Sequence, residues 1–149
     1  MSEFDSLRQI LNGKALMACQ NLGVALILPN ENITPPDDEV YVQFWFKTGG
    51  TKQIELGRAA AWELTVGIYQ FEVYAPEKQG DGPATQIADA LRKMFNRKEW
   101  EVAPWGVVKI TKSNVCTPFA GVQGNKYLVI SDGAFQYYHH DLSADPTFQ

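Results

Sequence analysis

The chain has 149 residues, a formal net charge of −4 and a pI of about 5.1. This length is enough to bury a core without a metal or a disulfide, and we expect one domain over residues 1–149. An acidic chain lacks the basic surface of a nucleic-acid-binding protein, so we expect no sequence-specific nucleic acid as a partner. The apolar runs are too short to span a membrane, and the acidic N-terminus is unlike a signal peptide. Synthesis in a cytoplasm, with Cys19 and Cys116 as reduced buried thiols, is the expectation.

The first third of the chain predicts a helix, a buried strand and a loop. Residues 2–19 carry an apolar stripe after a capping-box-like Ser2 and Asp5, and Gly13 is predicted to interrupt this helix. Residues 24–28 are apolar between Gly23 and Pro29, as in a buried strand. Residues 30–38, NENITPPDD, are predicted to form a loop because proline, asparagine and aspartate favour turns.

Two strands are predicted to follow the loop. Residues 40–47 alternate, with Tyr41 and Trp45 on the outward face, and Gly49 and Gly50 are predicted to turn the chain into a partner strand at 53–56. Residues 57–61 are expected to be an exposed connection. Residues 62–74 form a long strand that is apolar on both faces, with a bulge or bend at Gly67. Such a strand fits a sheet covered by helices on one side and by a neighbouring subunit on the other.

The second half predicts one clear helix and three strands. Pro83 suits the first turn of a helix over residues 84–95, which Asp81 or Gly82 would cap. Strands are predicted at 102–104, 107–116 and 127–139, with a turn at 121–125, a bulge at Gly133 and a frayed tail at 141–149. The fold class is therefore α+β: a mostly antiparallel sheet with two main helices packed on one face.

Motifs for catalysis and cofactor binding are not found in the sequence. The segment 49–52, GGTK, lacks the order and spacing of a phosphate-binding loop. His139 and His140 are neighbours on a strand and point to opposite faces, so we interpret them as two partly exposed histidines instead of metal ligands. A Cys116–His139 pair stays open from the sequence alone. We predict no enzyme activity, no metal and no cofactor.

Taken together, the chain resembles the tail terminator proteins of long-tailed bacteriophages. The resemblance lies in the N-terminal helix beginning FDSLRQIL, the turn at 29–32 and the strand at 40–46. Its strongest part is the strand ending Tyr74, Ala75 and Pro76, then Gly80, Gly82 and a helix ending RKMF. Ile33 and Thr34 stand where members often have an aromatic residue.

The resemblance implies a structural protein of the virion, at the head-proximal end of the tail. It implies a homo-oligomer, usually a hexameric ring, that caps the tail tube, stops its polymerisation and meets the head connector protein. The candidate contacts with other subunits or with the tube protein share either loop placement or aromatic character on a strand. They are Glu31, Asp37, Asp38, Tyr41, Trp45, Tyr69, Gln79 and Asp81. Acidic loops at the channel rim would repel DNA phosphates. A head–tail connector component, or a monomeric ligand- or peptide-binding module, is the alternative.

Overall fold

A computed structural model describes residues 3–29, 31–36, 38–53, 62–76, 82–102, 106–116, 122–123 and 126–140. The elements in chain order are α1 (Glu3–Leu22), β1 (Ala25–Ile27), β2 (Tyr41–Gln53), β3 (Trp62–Pro76), α2 (Gly82–Phe95), β4 (Glu99–Val102), β5 (Gly106–Cys116), β6 (Val122–Gln123) and β7 (Lys126–His140).

The strands form one sheet in the order β1-β2-β3-β7-β5-β4, and β6 pairs with the start of β7. Every pairing is antiparallel except that of β1 with β2, which is parallel. Side chains from both helices join the same buried core on one side of the sheet. The predicted α+β class is confirmed.

Helix α1 runs without a break through Gly13, so the predicted interruption is wrong. It ends at Gly23, whose φ of 70° is the left-handed conformation that glycine adopts at no steric cost. The Gly23 and Val24 N–H groups donate to the carbonyls of Gln20 and Cys19, which is the double hydrogen bond of a Schellman motif. Gly13 therefore only lowers the intrinsic helix propensity of α1, whereas Gly23 ends the helix.

Gly49 and Gly50 lie inside the continuous strand β2, so the predicted turn is wrong. Gln53 ends this same strand, and the rest of the predicted return strand, residues 54–56, lies outside the described residues. The β2–β3 register shifts between Thr48 and Thr51, where β2 carries one extra residue. The β3–β7 register runs unbroken through Gly67. The irregularity predicted for Gly67 therefore occurs across from it, on β2.

The bulge predicted at Gly133 is likewise displaced onto the neighbouring strand. The β5–β7 register shifts between Ile110 and Ser113, opposite Gly133 and Phe135. The turn after α2 bonds to β5 there: Asn96 Oδ1 accepts from the Ser113 N–H at 2.9 Å, and the Arg97 N–H donates to the Thr111 carbonyl. The bulge thus joins α2 to the sheet.

The predicted helix at 84–95 is confirmed as α2, which buries the stripe Ala84, Ala88, Leu91 and Phe95. Phe95 packs on Tyr69 and Phe71 of β3 at centroid separations of 5.1 and 5.0 Å. Helix α1 contacts both β1 and β4, the strands at opposite ends of the sheet order. The sheet therefore curls around the core, and α1 packs across the opening.

Strand β4 begins three residues before the predicted start at 102, and the long final strand is confirmed as β7. Part of the predicted turn at 121–125 is strand β6. The connection at 57–61 and the tail at 141–149 lie outside the described residues.

Candidate interaction surface

The face of the sheet opposite the helices is called here the open face. On β3 the odd-numbered residues from Thr65 to Ala75 are buried, apart from Gly67, and face the core, and the even-numbered ones are half-buried or exposed. Residues paired across antiparallel strands share a face, so Tyr41, Trp45 and Lys47 of β2 lie beside Tyr74, Gln70 and Ile68. The second apolar face predicted for β3 is therefore present at Leu64, Val66 and Ile68, whereas Gln70 and Glu72 make the remainder of this face polar.

The carboxylates described in and beside the predicted acidic loop are exposed. Glu31, Asp38 and the neighbouring Glu39 are exposed, and Ile33 between them is 52% exposed. Asp37 of this loop, and Gln79 and Asp81 of the loop before α2, lie outside the described residues. We call residues 31–39 the acidic loop.

Tyr41 is only 5% exposed, so its predicted outward position is wrong. Its ring stacks on Tyr74 with centroids 4.9 Å apart, and the Lys126 ammonium lies 4.5 Å from the Tyr41 ring centroid. The same ammonium donates to the Pro36 carbonyl at 3.1 Å. The sequence pattern placed Tyr41 on the correct face but missed the residues that cover it. Lys126 therefore links the acidic loop to the Tyr41 ring on the sheet.

Trp45 is half-buried on the open face, where Glu72 holds it. Glu72 Oε1 accepts from Trp45 Nε1 at 2.8 Å and from Gln70 Nε2 at 3.2 Å, and Oε2 accepts from the Tyr74 hydroxyl at 2.7 Å. Burial, the bond to Glu72 and its negative charge raise the pKa of Tyr74 above its usual range. The carboxylate fixes three side chains of this face.

Tyr69 is 1% exposed and faces the core, so its assignment to an exposed interface is wrong. Its hydroxyl is hydrogen-bonded to Ser113 at the β5 bulge. Burial raises the pKa of Tyr69 to about 12 although the bond to Ser113 acts to lower it. Alternation on a strand assigns faces only relative to a known core, and Tyr69 lies on the core face.

Val66 and Ile68 are the exposed apolar centre of the open face, at 43% and 50% exposure. We call these two residues the apolar stripe. Lys47 pairs with Ile68 and Lys52 with Leu64, and both lysines are exposed. The stripe is therefore bordered by positive charge along β2.

A shallow depression of about 280 Å³ lies beside Ile68, between β3, β7 and β5. Lys112, Asn114 and Asp132 supply its polar groups. Burial raises the pKa of Asp132. The depression combines a cation, an amide and a carboxyl group.

His139 is 1% exposed, so the interpretation of two partly exposed histidines is wrong for this residue. Its Nε2 lies 2.8 Å from the Thr65 hydroxyl, which also bonds to Thr51 at 2.6 Å. Cys116 pairs with Ile130, nine residues along β7 from His139, a separation of about 30 Å at the rise of a strand. A Cys116–His139 catalytic pair is therefore ruled out.

Among the described residues, no group of three or more His, Cys, Asp or Glu side chains could hold a metal ion. None of the helices described is long and apolar enough to cross a membrane.

The fold and the open face define an α+β protein that presents a broad sheet surface. The family profile for phage tail terminator proteins matches residues 6–130, and the chain belongs to that family. It is thereby a structural protein of the phage tail, associated with tail and head components.

A comparison with solved structures supports the fold. One matching structure has a TM-score of 0.71 and 19% sequence identity, and the match covers 92% of this chain and 96% of that one. No curated protein matches the chain.

Proposed function

We propose that this protein forms a closed ring, of six subunits, on the head-proximal end of the finished tail tube. The ring stops the addition of tube subunits and presents a surface to the head connector. Membership of the tail terminator family carries this proposal. The protein acts by binding and shape, without enzyme activity or a cofactor, and it is made in the cytoplasm of the bacterial host.

The arrangement of surfaces supports a ring. A cyclic assembly larger than a dimer uses heterologous interfaces, in which two different patches of each subunit meet. The described chain offers two different exposed surfaces, the open face and the acidic loop. A monomeric ligand- or peptide-binding module, the alternative, would bind through outward aromatic side chains of the sheet such as Tyr41 and Trp45. It loses support because Tyr41 is buried and Trp45 is held by Glu72.

The mechanism is steric and thermodynamic. One face of the ring matches the end of the tube, so binding there is favoured over the addition of another tube layer. The opposite face does not reproduce the tube end, so no further tube subunit docks on it. The open channel leaves a path for DNA.

Tube growth in vitro tests this function. Purified tube protein is allowed to polymerise with and without the protein, and tube lengths and ends are measured by electron microscopy. We expect shorter tubes with a cap at one end, and native mass spectrometry of the capped fraction should give a closed oligomer. Tubes of unchanged length without caps would contradict the proposal. Heat-unfolded protein at the same concentration is the control.

A further inference from the structure

The acidic loop has the composition of a docking segment. It exposes the carboxylates of Glu31, Asp38 and Glu39, with Ile33 projecting between them at 52% exposure. It is anchored at two points, because the Lys126 ammonium donates to the Pro36 carbonyl and the Glu31 N–H donates to the Leu28 carbonyl. Such anchors reduce the conformational entropy that a loop loses when it binds.

The apolar stripe has the complementary composition. Val66 and Ile68 are exposed side by side on one strand, and Lys47 and Lys52 border them along β2. Lys112 lies on the other side of Ile68, across the depression. Within the part of the chain that the structure describes, no ion pair involves any of these three lysines.

The two surfaces lie toward opposite ends of the sheet. The acidic loop enters β2 at Tyr41, and the stripe begins at Ile68, which pairs with Lys47 six residues further along. Six residues of strand span about 20 Å. A single subunit therefore presents both surfaces at once, and each can meet the other only on a second copy.

We propose that the acidic loop of one subunit docks on the apolar stripe of the next, with Ile33 packed against Val66 and Ile68 and the loop carboxylates facing Lys47, Lys52 and Lys112. The contact is heterologous, so repeating it builds a ring or a helix and not an isolated pair. The inference rests on the proposed function and deepens it, because it assigns the acidic loop to the subunit interface instead of the channel rim.

Charge reversal followed by charge exchange tests the contact. The stripe variant carries Lys47→Glu and Lys52→Glu, and the loop variant carries Glu31→Lys and Glu39→Lys. Asp38 is kept because it takes part in an interaction within its own subunit. We expect each variant alone to raise the dissociation constant of self-association by about tenfold or more, since two favourable pairs become repulsive. An equimolar mixture should associate again, in oligomers that contain both masses by native mass spectrometry.

The matched control reverses two exposed cations away from both surfaces, Arg8→Glu and Lys98→Glu, and should leave self-association unchanged. Circular dichroism checks that every variant is folded. Association of the two variants at the wild-type level, or a mixture that does not regain association, would overturn the contact. A wild-type protein that stays monomeric up to about 1 mM would also overturn it.

Cysteine cross-linking gives an independent measurement. In a Cys116→Ser background, oxidation of a protein with Ile33→Cys and Ile68→Cys should give a ladder of linked subunits that ends at the ring size. Each single substitution can give at most dimers, and a double variant that gives only dimers would overturn the contact.

The two proposals can fail separately. Capped tubes from a wild-type protein whose charge variants assemble normally would reject the contact and keep the cap. If the mixture of stripe and loop variants associates again but the wild-type protein does not limit tube length, the cap is rejected and the contact is kept.

Discussion

Phe135 of β7 lies over Gly67 of β3 on the core side of the sheet, where the two residues are paired. A Cβ at Gly67 would overlap the Phe135 ring and come within 2.5 Å of the Lys47 carbonyl oxygen. Two residues along, the arrangement is reversed, because Gly133 of β7 pairs with Tyr69 of β3 and a Cβ there would meet the Tyr69 ring at 2.9 Å. Each strand supplies one glycine and one ring, and each ring covers the glycine opposite.

This arrangement predicts that Gly67→Ala destabilises the protein. The new methyl group has backbone on one side and a buried ring on the other, so we expect a loss of about 1–3 kcal/mol or more in the free energy of unfolding. Urea unfolding followed by circular dichroism measures it. Gly13→Ala in α1 is the matched control, since nothing lies within 4 Å of its added Cβ, and it should stabilise the helix by about 1 kcal/mol. Equal effects of the two substitutions would contradict the close packing at Gly67.

The glycines also show where prediction from sequence succeeded and where it failed. Local patterns located α2 and the alternation of β2, because both follow from periodicity along one segment. Gly67 and Gly133 were each predicted at a bulge, which lies on the neighbouring strand instead, and Gly49 and Gly50 were predicted in a turn but lie inside β2. Whether a glycine makes a turn, faces a bulge or makes room for a ring depends on the neighbouring strand, and strand pairing is nonlocal.

The candidate site was predictable to a similar extent. The described carboxylates of the acidic loop are exposed, and its prolines and carboxylates define the loop locally in the sequence. Tyr41 is buried by Tyr74 and Lys126, which are 33 and 85 residues away in sequence, and no local pattern indicates that contact. The Trp45–Glu72 bond likewise depends on the register of β2 against β3.

The buried thiol of Cys19 should make the free energy of unfolding fall at alkaline pH. Burial raises the pKa of its thiol from 9.0 to about 12. The unfolded chain releases this proton above pH 9 while the folded protein keeps it, so the contribution to stability is complete below pH 9 and is lost as the pH rises toward 12. The slope approaches about 1.4 kcal/mol per pH unit. Urea unfolding at pH 8 to 11 should show a shallower decline for Cys19→Ala, and parallel curves for the two proteins would contradict a buried thiol.

The contact between Thr65 and the buried His139 predicts a structural role for this histidine, and Thr65 is the residue to change. Its hydroxyl lies between Thr51 and His139, so Thr65→Val removes a partner from both and should cost about 1–3 kcal/mol of unfolding free energy. Thr51→Val is the control: Thr51 is exposed and its loss leaves the Thr65–His139 contact, so the cost should be well under half as large. Chemical denaturation of both variants makes the comparison. Equal costs would show that the contact with His139 adds nothing to stability.

The hydrogen bond between Glu72 and Tyr74 predicts that a substitution at Glu72 changes the pKa of Tyr74 on the open face. Burial raises the Tyr74 pKa first, and the hydrogen bond to Glu72 and its charge raise it further. Glu72→Gln removes the charge, so the Tyr74 pKa should fall toward its usual range while burial keeps it from falling all the way. Ultraviolet titration of tyrosinate detects the shift, and the same substitution in a Tyr74→Phe background should leave the titration unchanged. A shift that persists without Tyr74 would belong to another tyrosine and would contradict the Glu72–Tyr74 bond. Glu72 also holds Trp45, which shares the open face with Lys47. If the fall in the Tyr74 pKa of the Glu72→Gln variant disappears when this variant self-associates, the network is connected to the subunit interface.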